Sequence, residues 1–341
     1  MNSFSESAAL GVKRKIKVLY VAGTIRSGTT LLAQLFGEIP EFVNIAEGTY
    51  FLYRDSKAAT LACSCGKLAA ECDVWREIVA RIPAKASSEG SRFLRTRYFP
   101  RLWWNLKVRR RLASFQPLTS AITHTFETLL AKTGGSVIVD SSKNVSTGYL
   151  LCHIPEIELH VVHLVRHSHG IVDSWCRPDR YYRPSTLGRG LAFWCVDNTL
   201  CQLLRSRAAS YSLLRYEDFV RGPRECLERI AGSVIGHPVA ADLFSAARAR
   251  VGSQHWLAGN PGARLNTELL VREADFRVPW PARMVANLVT FPLLLKFGYL
   301  AHKGEREGLE KIVPLQHTAA PVNPSNPVEE TPRKRSSAAA G

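Results

Sequence analysis

The segment 17–30 (KVLYVAGTIRSGTT) constrains the fold of this chain more than any other stretch of the sequence. It begins with an apolar run, 17–23, which predicts a buried strand, because strands buried on both faces are almost continuously apolar. After a glycine-containing turn, apolar residues recur at helical spacing and predict a helix over 29–39. Strand, turn and helix in this order indicate the start of a βαβ unit.

The same alternation continues along the chain. We predict further buried strands at 136–140, 158–165 and 212–215, and helices at 186–208 and 223–234. Strands that alternate with helices predict an α/β protein whose sheet is mostly parallel and covered by helices on both faces. Ligands of such proteins bind beyond the carboxyl ends of the strands.

The turn at residues 23–30 (GTIRSGTT) has two glycines separated by four residues, which is the spacing of a phosphate-binding P-loop. Its backbone N–H groups and the start of the helix would bind an anion; the alternative is an ordinary turn capped by a Ser or Thr. A P-loop kinase has Lys after the second glycine, whereas this chain has Thr29 there and carries its cation at Arg26. We therefore predict a P-loop-like, three-layer fold with a central, mostly parallel sheet. The candidate nucleotide-binding residues of the loop are Arg26, Ser27, Gly28, Thr29 and Thr30.

A second candidate anion site lies at residues 165–175 (VRHSHGIVDSW). Arg166 closes a predicted strand, and Ser174 follows eight residues later on a predicted helix. Both side chains could reach one phosphate, because Arg binds phosphate oxygens bidentately and a Ser hydroxyl donates a hydrogen bond. Taken singly, each residue is better explained as a strand-end Arg or a helix Ser that points to water.

The two segments together resemble the PAPS-dependent sulfotransferase family, and the Arg-Ser-Gly-Thr-Thr loop is similar to that of its bacterial, carbohydrate and tyrosylprotein-like branch. The similarity extends to residues 140–143 (DSSK), 214–220 (LRYEDFV) and 259–261 (GNP), in the order that the family shows. The family usually has Asp-Pro after the Arg, where this chain has His167 and Ser168.

This resemblance implies a co-substrate and the residues that bind it. The first loop would hold the 5'-phosphosulfate of 3'-phosphoadenosine-5'-phosphosulfate (PAPS). Arg166 and Ser174 would hold the 3'-phosphate that distinguishes PAPS from ATP, and Tyr216 and Asn260 are expected beside the nucleotide. The implied enzyme is a transferase that moves a sulfuryl group to a hydroxyl, with a carbohydrate or glycolipid as the expected acceptor.

Sulfuryl transfer needs a base for the attacking hydroxyl and a cation at the leaving oxygen. By the resemblance, Lys143 is the cation and Glu47, which follows the first helix, is the base. Asp140, Glu217 and Asp218 are the other carboxylates expected near the sulfate, and we expect them to orient or cap the backbone instead. No metal is expected, because sulfate carries less charge than a terminal phosphate.

Two other function classes remain open at this point. One is a P-loop kinase-like phosphotransferase, against which the missing loop Lys argues. The other is a non-catalytic nucleotide- or RNA-binding module, which would not need Glu47 and Lys143. The formal net charge of +16, from 45 Lys and Arg against 29 Asp and Glu, favours an anionic partner of some kind.

Residues 92–112 concentrate this charge, with eight Arg or Lys, no acidic residue and interleaved aromatics. Such a stretch is typical of an RNA surface, an anionic glycan groove or a membrane interface. The alternative is an amphipathic helix whose aromatics are core and whose arginines are solvated. We expect no nucleic acid as a partner, and a peripheral contact with an anionic membrane stays open.

Three cysteines, Cys63, Cys65 and Cys72, cluster in the segment CSCGKLAAEC. A zinc site needs four ligands and no His lies nearby in the sequence, so we expect no metal here. A redox pair and simple burial are the alternatives. Eight cysteines in 341 residues favour reduced thiols rather than a disulfide framework.

The remaining expectations concern location and domain limits. No apolar signal core precedes the first strand, and the apolar run 284–295 is shorter than the ~20 residues of a spanning helix. We therefore expect a cytoplasmic protein, with the inner membrane face as a place of peripheral contact, and a packed or interfacial helix at 284–295. Residues 12–303 are expected to form the sulfotransferase domain. Residues 304–341 are rich in Pro and are expected to be disordered.

Overall fold

The structure is a computed structural model, and it describes residues 14–49, 59–109, 111–176, 186–241, 243–245, 248–252, 254–257, 268–271, 278–300 and 313–314. Its centre is a sheet of five parallel strands with the order β2-β3-β1-β4-β5. The strands are β1 (Ile16–Ala22), β2 (Phe42–Ala46), β3 (Val137–Lys143), β4 (Ile157–Val165) and β5 (Ser210–Arg215). The four strands predicted from apolar runs are β1, β3, β4 and β5, whereas β2 was not predicted.

Helices surround this sheet. They are α1 (Thr29–Phe36), α2 (Arg76–Ala80), α3 (Ala84–Phe93), α4 (Phe99–Trp103), α5 (Gln116–Thr133), α6 (Val145–Leu151), α7 (Ser168–Cys176), α8 (Leu187–Cys201), α9 (Tyr216–Arg221), α10 (Pro223–Ile235) and α11 (Trp280–Lys296). A π-helical turn follows α4, and 3-10 turns lie at Thr96–Tyr98, Leu112–Phe115 and Gln202–Ser206.

Two short antiparallel elements complete the secondary structure. A small sheet has the order β6 (Phe244–Ser245), β7 (Arg248–Arg250) and β8 (Glu268–Leu270). The short strand β9 (Val313–Pro314) pairs antiparallel with the start of β5. Apart from β9, the predicted tail 304–341 lies outside the described residues.

The central strand β1 shows the layering directly. Its residues from Val18 to Ala22 are completely buried and alternate between two separate apolar clusters: Tyr20 belongs to the cluster that includes α5 and α6, and Leu19 to the cluster that includes α1 and α10. A strand whose alternate residues are buried on both sides must be covered by helices on both faces. The predicted three-layer α/β fold with a mostly parallel sheet is therefore confirmed.

The order of the strands locates the crevice of this sheet. β1 pairs with β3 on one side and with β4 on the other, so the winding of the chain reverses at β1. In open α/β sheets the ligand site lies beyond the carboxyl ends of the strands at such a reversal. The glycine-containing loop follows β1 and therefore lies at this place.

The apolar run 284–295 lies within α11. Ala286, Thr290 and Leu294 are buried, while Leu288 and Phe291 on other faces are 81% and 54% exposed. Among the helices in the described part of the chain, none combines the length and apolarity needed to cross a bilayer.

Candidate active site

Each of the five parallel strands carries one candidate site residue at or just beyond its carboxyl end. Lys143 is the last residue of β3, while Glu47, Arg166 and Tyr216 follow β2, β4 and β5 directly, and Arg26 lies in the loop after β1. Because parallel strands end at the same edge of a sheet, these residues gather at one edge although the sequence spreads them over 190 positions.

The loop after β1 has a conformation that requires its glycines. Gly28 has a φ of 98°, and a Cβ there would lie 2.7 Å from the Tyr216 ring. A Cβ on Gly23 would lie 2.5 Å from the Leu164 carbonyl oxygen. Gly28 is also the N-cap of α1, and since it has no side chain, it leaves the first N–H groups of that helix to another acceptor. The loop is therefore built to let an anion approach its backbone closely.

The side chains of the loop divide into two kinds. Ser27 is buried and donates a hydrogen bond to the Thr24 carbonyl oxygen at 2.7 Å, and Thr29 is buried as well. Thr30 and Arg26 are half-buried. Ser27 and Thr29 thus stabilise the loop, while Thr30 and Arg26 retain some exposed surface.

Arg26 and the Arg166 segment meet in space. Arg26 Nε donates to Ser174 Oγ at 2.7 Å, and Arg166 Nη1 donates to the Arg26 carbonyl oxygen at 3.3 Å. The Arg166 guanidinium also lies 4.6 Å from the centre of the Tyr216 ring. Four of the predicted cofactor-binding residues thus form one cluster with two guanidinium groups, a hydroxyl and an aromatic face. Such a cluster has the donors that recognise a phosphate.

The turn after β4 is held by its neighbours. The Arg166 carbonyl oxygen accepts a hydrogen bond from Trp194 Nε1 at 2.9 Å, and the His167 N–H donates to Glu217 Oε1 at 3.0 Å. Tyr299 donates to the other oxygen of that carboxylate at 2.7 Å. Glu217 therefore braces the turn, as expected of a carboxylate that orients the backbone.

The histidines near Arg166 add no positive charge at neutral pH. Burial lowers the pKa of His163 to about 4, and the ring lies between Tyr211 and Asn198 at 2.7 and 2.9 Å. Burial, with the neighbouring His169, lowers the pKa of His167 to about 4 as well. The charge available to an anion in this cluster thus comes from the arginines.

Lys143 and Glu47 form an ion pair between the ends of β3 and β2. Their side chains are only 14% and 23% exposed. Lys143 has a φ of 69°, and Ala46, which precedes Glu47, has a φ of 49°. Left-handed backbone at non-glycine residues costs about 1–3 kcal/mol each and persists where the surrounding structure enforces it, commonly at functional sites. The two predicted catalytic side chains thus come together on strained backbone.

Asp140 shapes the turn that carries Lys143. It is completely buried, and its Oδ1 accepts a hydrogen bond from the Ser142 N–H at 2.7 Å. Ser142 Oγ in turn lies 2.6 Å from Thr49 Oγ1. Burial, with a smaller contribution from the negative charge of Glu47, raises the pKa of Asp140 to about 6. Asp140 thus positions the backbone of the turn that carries Lys143.

Asp197 is a site residue that the sequence analysis missed. It lies on α8, where its Oδ2 accepts a hydrogen bond from Thr24 Oγ1 at 3.1 Å, and burial raises its pKa to about 6. The signal was present in the sequence, since Asp197 is an acidic residue inside the otherwise apolar run AFWCVD. It thus holds the start of residues 23–30, the candidate anion loop.

One predicted cofactor-binding residue, Asn260, cannot be placed at the site. Asn260 and its GNP segment lie outside the described residues.

In the basic stretch 92–112, Leu102 and Leu106 are buried, whereas Trp104 and Val108 are 50% and 47% exposed. That stretch therefore has both a core side and an exposed side that carries aromatic and cationic residues.

No family model and no curated protein matches this chain. Among solved structures, the chain is similar to a sulfotransferase domain from the olefin synthase of Synechococcus PCC 7002, with 18% identity, a TM-score of 0.49 and coverage of 85% of this chain and 97% of that one. It is also similar to a sulfotransferase domain from the curacin biosynthetic pathway, with 13% identity, a TM-score of 0.44 and coverage of 82% and 98%. A third similar structure is retinol dehydratase in a complex with retinol and PAP, with 10% identity, a TM-score of 0.36 and coverage of 83% and 82%.

Proposed function

We propose that this chain is a sulfotransferase of the PAPS-dependent family, with residues 12–303 as its catalytic domain. The observation that carries the proposal is the arrangement of two groups of side chains around the anion loop. The Arg26, Arg166 and Ser174 cluster lies toward β4, and the Lys143–Glu47 pair lies toward β3. A nucleotide with phosphate at both its 3' and 5' positions needs two anion sites, and a transferred group needs a base and a cation beside it.

The chemistry assigns a role to each partner of the ion pair. The oxygen of the acceptor hydroxyl attacks sulfur, forming a new S–O bond in line with the S–O bond to the phosphate, which breaks. Glu47 accepts the proton of the hydroxyl, and Lys143 stabilises the negative charge that grows on the leaving phosphate oxygen. Without substrate the two charges neutralise each other in a partly buried place, which avoids leaving either one unpaired.

The same geometry argues against a P-loop kinase. In that class the Lys that follows the second glycine contacts the β- and γ-phosphates, and Mg²⁺ bridges them. Here Thr29 has that position and is buried, and the cations near the loop are Arg26 within it and Lys143 at the end of β3. The protein should therefore use its nucleotide without added Mg²⁺.

The acceptor that we propose is a carbohydrate or glycolipid hydroxyl. The support is the Arg-Ser-Gly-Thr-Thr loop, which resembles the carbohydrate and tyrosylprotein-like branch of the family more than the small-phenol branch. A panel of glycan, glycolipid, tyrosyl-peptide and phenol acceptors with radiolabelled PAPS tests this choice. Transfer to phenols alone would overturn it.

A peripheral membrane contact through residues 92–112 is the finer part of this proposal. Trp103, Trp104 and Val108 are exposed beside the exposed cations Lys107 and Arg109, a combination that binds at the interface of anionic bilayers. Sedimentation with anionic vesicles should show binding that weakens as salt is added. Reversing Arg101, Lys107 and Arg109 to Glu should abolish it, while reversing the exposed Arg205, Arg229 and Arg248 should not.

The primary test of the function is nucleotide binding followed by transfer. Calorimetry should show that adenosine 3',5'-bisphosphate binds more tightly than ADP or ATP. Incubation of radiolabelled PAPS with extracts of the source cell should then label an acceptor only when the protein is added. Equal affinity for ATP, or transfer that requires Mg²⁺, would contradict the proposal.

A further inference from the structure

Four potential metal ligands, three of them close together in the sequence and one distant, come together on the side of the sheet that carries β2. The sulfur atoms of Cys63, Cys65 and Cys72 and Nδ1 of His255 all lie within 4.8 Å of one another. Cys63 and Cys72 are buried, and Cys65 and His255 are half-buried. The expectation of no metal at these cysteines rested on the lack of a nearby His in the sequence, whereas His255, which follows Cys72 by 183 residues, reaches them in the fold.

The spacing of these atoms is compatible with tetrahedral coordination of one ion. Zinc–sulfur bonds of about 2.3 Å and zinc–nitrogen bonds of about 2.0 Å give tetrahedral edges of about 3.8 Å between sulfurs and about 3.5 Å between sulfur and nitrogen. The Cys72 sulfur lies 3.7 Å from that of Cys63 and 3.8 Å from that of Cys65. His255 Nδ1 lies 3.3 Å from the Cys72 sulfur and 3.9 Å from the Cys63 sulfur. These four distances, from 3.3 to 3.9 Å, bracket the edge lengths expected of a zinc tetrahedron.

The two alternatives considered from the sequence fit this geometry less well. A disulfide would bring two sulfurs to about 2.0 Å, whereas all three cysteines are free. Simple burial of thiols does not require a histidine nitrogen to face two of them at once. Three thiolates and an imidazole are soft and borderline donors, which select zinc over calcium or magnesium.

The local chain is folded to present the first three ligands. Gly66 has a φ of 88°, and the chain turns there so that the Cys63 N–H donates to the Lys67 carbonyl oxygen at 2.8 Å. The N–H groups of Cys65 and Lys67 hydrogen-bond the sulfurs of Cys63 and Cys65. Amide donors of this kind stabilise metal-bound thiolates. Cys72 follows one turn later, just before α2.

The fourth ligand is held by contacts that do not involve its ring. Trp75 Nε1 donates to the His255 carbonyl oxygen at 2.8 Å. Ser64 and Trp256 exchange two hydrogen bonds, from the Ser64 N–H to the Trp256 carbonyl oxygen and from the Trp256 N–H to Ser64 Oγ, each 3.0 Å long. These contacts hold the backbone on either side of the imidazole, whose Nδ1 faces the sulfurs.

We propose that Cys63, Cys65, Cys72 and His255 bind one structural zinc ion that fastens residues 63–75 to residues 254–257. Four protein ligands complete the tetrahedral coordination of zinc, so no position is open for a substrate or a reactive water. The ion acts on the fold and not on the reaction. The inference does not depend on the sulfotransferase proposal.

The fastened segments lie against the strand that leads to Glu47. Leu257 forms bridge pairs with both Cys63 and Ala46, and Gln254 Oε1 accepts a hydrogen bond from Asn44 Nδ2 at 2.7 Å. Ala46 and Asn44 belong to β2, which is an edge strand of the parallel sheet. Zinc would therefore stabilise the edge of the sheet from which Glu47 extends.

Elemental analysis of the full chain, purified under reducing conditions and dialysed into metal-free buffer, tests the site. We expect about one zinc per chain. Cys72→Ser and His255→Ala should each reduce the zinc content severalfold, while Cys152→Ser, which changes a half-buried cysteine outside the cluster, should leave it unchanged. Equal zinc retention in the cluster variants would identify adventitious surface zinc and overturn the proposal, as would iron in place of zinc.

A second measurement avoids variants that fail to fold. The wild-type protein, stripped with a chelator and titrated with Co²⁺, should develop sulfur-to-cobalt charge-transfer absorption and the intense visible bands of tetrahedral cobalt. Zinc should then displace the cobalt and raise the midpoint of thermal unfolding, because a ligand that binds only the folded state stabilises it. Weak bands of octahedral cobalt, or a midpoint unchanged by zinc, would show that the four residues do not form the site. Nucleotide affinity, measured on the same samples, reports separately on the proposed function.

Discussion

Arg26 Nε lies 2.7 Å from Ser174 Oγ, so the loop after β1 and the helix after β4 are joined by a hydrogen bond across the crevice of the sheet. Arg166 adds a second link through the Arg26 carbonyl oxygen. The donors that would grip a phosphate are thereby held close together before it arrives. Preorganisation of this kind lowers the entropic cost of binding.

The first prediction concerns recognition of the 3'-phosphate. Arg166→Ala should weaken binding of adenosine 3',5'-bisphosphate by about 10- to 100-fold, because a charge-assisted hydrogen bond contributes about 1.5–3 kcal/mol. Binding of adenosine 5'-phosphate, which lacks the 3'-phosphate, should change much less. Calorimetry with both nucleotides measures the ratio of the two affinities. The exposed Arg81 provides a control, since Arg81→Ala should leave that ratio at the wild-type value. An equal loss for both nucleotides would show that Arg166 does not distinguish them.

The second prediction concerns the base. Glu47→Gln should lower kcat by about 10²–10⁴-fold, because a positioned general base contributes about that factor. Affinity for adenosine 3',5'-bisphosphate should stay near the wild-type value, and the acid limb of the rate profile should disappear. Steady-state kinetics with a responsive acceptor and calorimetry measure the two effects. Near-full kcat in Glu47→Gln with a large loss in Asp140→Asn would assign the base to Asp140 instead.

The third prediction uses the raised pKa of Asp140. The carboxyl ionises near pH 4 in the unfolded chain and near pH 6 in the folded one, so between these values the folded state binds more protons. Its contribution to the free energy of unfolding therefore falls as pH rises through this window, by about 2–3 kcal/mol. Asp140→Asn keeps an acceptor for the Ser142 N–H but cannot ionise. The free energy of unfolding of Asp140→Asn should equal that of the wild type near pH 4 and exceed it at pH 7.

Urea unfolding at several pH values measures this difference, and Glu77 provides a control of opposite sign. Its pairing with Lys132 holds the pKa of Glu77 below the usual value, so its contribution is present at neutral pH and is lost on acidification. Glu77→Gln should therefore be less stable than the wild type at pH 7 and converge with it in acid. If the Asp140→Asn difference does not vary with pH, the carboxyl is not ionised differently in the two states.

The fourth prediction separates two reasons for glycine in the anion loop. Gly28 and Gly134 both have left-handed backbone, but only Gly28 would place a Cβ against a neighbour, the Tyr216 ring at 2.7 Å. Gly134→Ala should cost about 1–2 kcal/mol of stability from backbone strain alone. Gly28→Ala should cost about 1–3 kcal/mol more, because the ring must move. Equal costs in urea unfolding would mean that the ring adapts freely.

Much of the fold could be predicted because its signals are local. The apolar runs that became β1, β3 and β4 are buried on both faces, which makes them rich in Val, Ile and Leu. The edge strand β2 is only five residues long and contains Asn44, so its sequence FVNIA has no comparable signal. Its pairing with β3 decided its structure instead.

The sequence could place several residues of the candidate site at one edge of the sheet, but it could not reveal their contacts. Arg26, Lys143 and Arg166 each stand beside a strand signal, which located them at the edge of the sheet. The hydrogen bond from Arg26 to Ser174 and the approach of His255 to the cysteines depend on tertiary packing between distant segments. The left-handed backbone at Lys143 could not be predicted from the sequence either, because Lys has no preference for that conformation.

The central position of β1 has a consequence for how the protein reaches its working state. β1 must pair with β3 and β4, whose partners in the register lie about 120 and 140 residues later in the chain. Contacts of such high sequence separation form slowly, because the loops between them must close first. The anion loop receives its neighbours Leu164 and Tyr216 only after that closure. Nucleotide affinity should therefore arise late in refolding, and a chain that binds nucleotide has already assembled the middle of its sheet.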